Sequence, residues 1–85
     1  MSALNRRAIR ERFGDAVRRR RRELGLSQER LAERAQLHRT YLSDVERGNR
    51  NPSLESITRI AAALDLEPSA LLRLAEGGPT EQGVG

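Results

Sequence analysis

Apolar side chains recur through most of this chain three and four residues apart, the interval that gathers them on one side of a helix, and no stretch alternates as a strand requires. Over residues 5 to 24 one stripe runs through Ile9, Phe13, Val17, Arg20 or Arg21 and Leu24, and Gly25 supplies a stop. Ser27 stands where a helix cap belongs, with Glu29 in the first turn. Behind them Leu31, Ala32 and Ala35 make the inward face of a second helix of about nine residues. After a short connection through Gln36 and Leu37, a third helix is predicted over residues 38 to 47, carrying Leu42 and Val45 inward and stopping at Gly48. Residues 49 to 52 read as a loop. Ser53 then caps a fourth helix with Leu54, Ile57, Ile60, Ala61 and Leu64 in strict helical spacing. Pro68 suits the first position of a short fifth helix through residue 75, and Gly77 and Gly78 end it. The expected fold is all-α, a compact bundle of five helices. Residues 1–12 extend the first helix, residues 13–75 form the domain, and residues 76–85 are expected to be a disordered tail.

Composition narrows what such a bundle can do. At 85 residues there is room for one modest core and little else. The chain has no cysteine, so disulfides, thiolate chemistry and cysteine-held zinc are excluded. It has one histidine, no glycine-rich phosphate loop and no carboxylates at catalytic spacing, so neither an enzyme nor a cofactor is expected. His38 has no companions at ligand spacing, and a cap or a phosphate contact suits it better than a metal. No apolar run approaches the roughly 18 residues of a membrane span and no signal-type segment opens the chain, so a cytoplasmic protein is expected. All sixteen basic residues are Arg, and residues 1 to 25 hold nine of them against three acidic residues. The bias to Arg most simply reflects a GC-rich coding genome. Five consecutive helical residues point all round the axis, so at most two or three of Arg18 to Arg22 can share a surface; a solvated face explains Arg18, Arg19 and Arg22.

Two short helices joined by about three residues, the second ended by glycine, make a helix-turn-helix, whose second helix can lie in the DNA major groove. The string LGLSQERLAERAQLHRTYLSDVERGNRNPSLESITRIAAAL also resembles the Cro and phage-repressor type, the xenobiotic-response-element family, over roughly residues 13 to 74. The resemblance rests on Ser27-Gln28-Glu29 with Leu31-Ala32, on Tyr41-Leu42-Ser43 with Val45-Glu46-Arg47-Gly48, and on Pro52-Ser53-Leu54. It implies the phage-repressor bundle, with helices two and three as the DNA-binding pair.

The resemblance also implies roles. The exposed face of the third helix reads base edges, which here presents Arg39, Thr40, Ser43 and Asp44. Arg39 has the fork for guanine O6 and N7, Thr40 offers a methyl to thymine, and Asp44 either accepts from cytosine N4, orients Arg39 or is simply solvated. Gln28 matches the position that grips a phosphate at the start of helix two. Arg47, Asn49, Arg50 and Asn51 match a second backbone-contacting region. Arg21 and Glu46 match a pair that ties helix one to the end of helix three. Arg20 departs from the family, where an apolar residue is usual: either its stem covers the core while its guanidinium reaches out, or helix one sits differently.

One such domain buries too little surface on DNA for high affinity, so a homodimer on an inverted repeat is expected. Leu66, Leu71, Leu72 and Leu74 exceed what one short helix needs and are read as its interface, with parts of helix four, the alternative being that they complete the core of one copy; Ile9 offers a second surface for self-association or for DNA. The sequence therefore points to a stand-alone transcription regulator, similar to phage Cro or to restriction-modification controller proteins. The alternative is an antitoxin that binds its operator through the same unit. Double-stranded DNA and a second copy are the expected partners, with RNA polymerase or a toxin protein as further ones.

Overall fold

The computed structural model describes residues 5–77. It contains five helices and, among the described residues, no strand: α1 (Arg6–Glu23), α2 (Gln28–Ala35), α3 (Arg39–Glu46), α4 (Leu54–Ala63) and α5 (Pro68–Gly77). Their starts follow from local chemistry. Asn5, Ser27 and Ser53 are each extended and accept from a backbone N–H three residues on, satisfying donors that the first turn leaves open. His38 occupies the cap position of α3, but its side chain makes no capping bond, so the capping role anticipated for it is not played.

The ends are set by left-handed residues. Gly25 (φ 71°) and Gly48 (φ 77°) adopt that conformation after α1 and α3, and Gln36 (φ 59°) closes α2 in the same way without a glycine. Gly48 has a second reason to lack a side chain, because a Cβ there would meet the Glu11 side chain at 2.7 Å. The early turns of α1 thus lie over the turn that follows α3, and Arg10 Nε donates to the Gly48 carbonyl at 3.4 Å.

The core is drawn from every helix: Phe13, Ala16 and Val17; Leu31, Ala32 and Ala35; Leu42 and Val45; Ile60, Ala61 and Ala63, with Leu64 just past α4; Leu71 and Ala75. α1 packs on α3 and α5, while α2 packs on α3 and α4. Six alanines among these residues let the short helices approach closely. Leu71 is fully buried here, which corrects its assignment to an interface between copies: it completes the core of its own chain, four residues before Ala75 on the same stripe. Leu72 and Leu74 are exposed, and Leu66 packs half-buried against the rim.

One further boundary differs from the sequence reading. α5 runs to Gly77, two residues into the segment expected to be tail, because a glycine can fill the last helical position as readily as stop one. The rest of that expected tail, residues 78–85, and residues 1–4 of the expected extension lie outside the described residues.

Arg20 explains its own departure. Its side chain is three-quarters buried, and Nε donates to the Leu64 carbonyl at 3.1 Å, at the open end of α4. Arg34 Nη1 reaches the neighbouring Ala63 carbonyl at 3.2 Å. Two cations therefore satisfy the carbonyls and complement the negative end of the α4 dipole. Arg18 and Arg19 face Asp15 at 3.5 and 2.9 Å, and Arg21 points into the protein. Four of the five consecutive arginines thus have acceptors within the chain, and Arg22 is exposed.

Candidate nucleic-acid interface

α2 and α3 are held against each other by one buried carboxylate. Glu46, the last residue of α3, accepts from Arg21 Nε at 2.7 Å, from Arg21 Nη2 at 3.1 Å and from Gln28 Nε2 at 2.9 Å. Arg21 Nη1 donates to the Leu26 carbonyl at 2.9 Å. The Glu46 side chain is 2% exposed and that of Arg21 11%. A two-pronged guanidinium–carboxylate pair removed from water fixes direction as well as distance, so it sets the end of α3 relative to α1 and to the first residue of α2.

Gln28 thus spends its amide N–H on this pin. Its place as a phosphate grip is compatible with that bond, which aims the side chain along the start of α2, but no phosphate is needed to explain its posture. α3 rests on α1 with little between them: Gly14 lies directly under the carbonyls of Val45 and Glu46.

With its end fixed, α3 presents an open face. Arg39 and Thr40, at its start, are exposed together with His38. Ser43 and Asp44, one turn later, are half-buried. Asp44 does not face Arg39; it pairs with Arg47 at 3.0 Å and lies 3.8 Å from Arg50. Arg47, Asn49, Arg50 and Asn51 are exposed around the turn that follows, and the Asn49 N–H donates to the Asp44 carbonyl at 2.9 Å. The structure thus brings two groups together along one helix and the turn that ends it, Arg39 with Thr40 and the set from Arg47 to Asn51.

Tyr41 has a place that the sequence did not announce. Its ring lies 5.0 Å from the Arg50 guanidinium carbon, and its hydroxyl donates to Ser56 Oγ at 3.1 Å, which in turn is 3.0 Å from Ser53 Oγ. An aromatic residue at the solvent edge of a helix with hydroxyls opposite was the only available signal, and it is a weak one. The ring supports an arginine of the second group through cation–π attraction and ties it to the start of α4. Among the described residues, no group of three or more His, Asp or Glu side chains is placed to hold a metal ion, and no helix is long and apolar enough to cross a membrane.

The sequence pattern of the helix-turn-helix family matches residues 17–71, which span the pin, both short helices and most of the core beneath them. The chain belongs to the helix-turn-helix family of the Cro/C1 type. It is 48% identical over 75 residues to the control protein C.BamHI of Bacillus amyloliquefaciens, covering 87% of this chain and 93% of that one. Identity to the immunity repressor protein of Bacillus phage phi105 is 42% over 59 residues, 69% of this chain and 41% of the repressor. Among solved structures, the restriction-modification controller protein C.AhdI from Aeromonas hydrophila superposes with a TM-score of 0.72 at 48% identity, over 73% of this chain and 94% of that one. Members of this family are DNA-binding transcription regulators, and this chain is one of them.

Proposed function

We propose that this helix-turn-helix protein binds an inverted-repeat operator as a homodimer and acts as a regulator of the restriction-modification controller kind. The observation that carries the reading is the exposed start of α3, with Arg39 and Thr40 open to solvent on a helix whose far end is locked by Glu46. A helix so fixed can enter the major groove without losing orientational freedom on arrival. Arg39 then reads guanine by its two parallel donors and Thr40 meets a thymine methyl, while Arg47, Asn49, Arg50 and Asn51 lie on the flanking phosphates.

A second copy supplies the second half-site. Its expected contact is the outer side of α5, now narrowed to Leu72 and Leu74, which flank the buried stripe on opposite sides about 160° apart, with Leu66 at the rim. Ile9 adjoins Leu72 in a shallow hollow that Phe13 and Ile57 also line, so the early turns of α1 extend the same surface. Two-fold pairing sets the reading helices about 34 Å apart, one turn of DNA. The match to C.BamHI and C.AhdI over 93% and 94% of their lengths supports a regulator of the controller kind. The antitoxin alternative gains no support from relatives that are control proteins and a phage immunity repressor.

Arg39→Ala is expected to relax selection at one base pair of each half-site, where discrimination should fall by about 1–3 kcal/mol. The fold should be unaffected, because Arg39 is exposed. Competition binding against duplexes with single base changes measures this directly; unchanged discrimination at every position would remove Arg39 from the reading face.

A further inference from the structure

Asp44 is anchored differently from the residues around it. Its side chain is 25% exposed, whereas the two arginines it faces are 62% (Arg47) and 50% (Arg50) exposed. Each carboxylate oxygen is directed to a different one: Oδ1 accepts from Arg47 Nη2 at 3.0 Å, and Oδ2 lies 3.8 Å from Arg50 Nη2. Arg50 is held a second time by the Tyr41 ring, itself tied to Ser56. An acidic residue in the middle of a surface that is to meet phosphates weakens attraction to every duplex, whatever its sequence. A residue with that cost needs another effect, and the geometry supplies one.

We propose that Asp44 is a positioning residue for specificity: it holds Arg47 and Arg50 at fixed places beside α3 and cancels one of their two charges, keeping the grip on random DNA weak. The inference rests on the DNA-binding reading above. Long arginine side chains that swing freely can find phosphates in many poses of the protein on DNA, including poses in which α3 meets no matching bases. Held by a common carboxylate, they reach phosphates together only when the helix is seated, so backbone contacts and base contacts form as one event. In the seated complex Arg47 and Arg50 share the carboxylate with the phosphates and keep its hold, whereas in unseated poses they must leave it to reach phosphate, so the loss falls on random sequence rather than equally on both.

The test uses the full chain and its Asp44→Asn variant, with fluorescence anisotropy on two labelled duplexes of equal length. One is recovered by selection from a random pool with the wild-type chain and the other is of random sequence; KCl is varied from low to physiological concentration and above. The variant is expected to bind the random duplex about 3- to 10-fold more tightly, the size of one or two exposed ion pairs. Its affinity should also fall more steeply with salt, by about one further counterion released. The ratio between the two duplexes then falls. Asp44→Ser should behave like Asp44→Asn, and Asp44→Glu should restore much of the ratio. Circular dichroism checks that each variant keeps its helices. If the wild-type chain discriminates but Asp44→Asn matches it in random-duplex affinity and salt slope, this inference fails alone. It also fails alone if only one base preference changes with the slope intact, which would make Asp44 a base reader. Equal binding of both duplexes by the wild-type chain overturns the functional reading and this one with it.

Discussion

Glu46→Ala is expected to destabilise the chain by about 3–5 kcal/mol, a large part of the total stability of so small a domain. The substitution leaves the Arg21 guanidinium buried with a single carbonyl partner, Leu26, and strands the Gln28 amide that faced the carboxylate. An uncompensated buried charge costs far more than the pair contributed, so replacing both partners should be gentler than replacing one. Arg21→Met with Glu46→Leu is therefore expected to recover at least half of the loss. Urea denaturation followed by circular dichroism measures each step. A loss under about 1 kcal/mol for Glu46→Ala would mean that water reaches the pair and screens it as it does an exposed one. The exposed Arg7–Glu11 pair is the internal comparison, since its removal should cost about 0.5 kcal/mol or less.

The second large effect is expected at Gly14. In an ordinary helix interior Gly→Ala stabilises by up to about 1 kcal/mol. Here a Cβ would sit 2.5 Å from the Glu46 carbonyl oxygen, closer still to that of Val45, and 2.8 Å from the Glu46 carbonyl carbon. These atoms are backbone and cannot swing aside. α1 must therefore retreat from the end of α3, which also draws Arg21 away from Glu46. Overpacking of this kind outweighs the propensity gain, giving a net loss of about 2 kcal/mol or more. Gly25→Ala is the control for lost glycine without a clash: its Cβ would meet nothing, and only the positive φ is strained. A neutral or stabilised Gly14→Ala protein would show that the two helices do not approach so closely in solution.

Both effects involve contacts between residues distant in sequence, which also marks how far the sequence could be read. Helix order, the caps at Ser27 and Ser53 and the stops at Gly25 and Gly48 depend on interactions within a few residues, and they were legible. The pairing of Arg21 with Glu46 came from resemblance rather than spacing, since 25 residues separate them. Gly14 was silent because what forbids its side chain is backbone on another helix. Arg20 looked anomalous for the same reason, its acceptor being the Leu64 carbonyl. Leu71 was misassigned by counting leucines: its position with Ala75 on the inner stripe of α5 was visible in the period, and only Leu72 and Leu74 were left to face outward. Asp44 was read toward DNA, toward Arg39 or toward solvent; its arginine partners were not legible because α3 ends two residues later and the turn that follows brings Arg47 and Arg50 back to it.

On the function proposed above, α3 reads DNA sequence and two copies do so together. The direct measurement is selection of bound duplexes from a random-sequence pool by the purified chain, followed by sequencing. The expected product is an inverted repeat whose half-site centres are about 10 base pairs apart, one turn of DNA. Recovery of duplexes that share no motif would contradict sequence reading by α3.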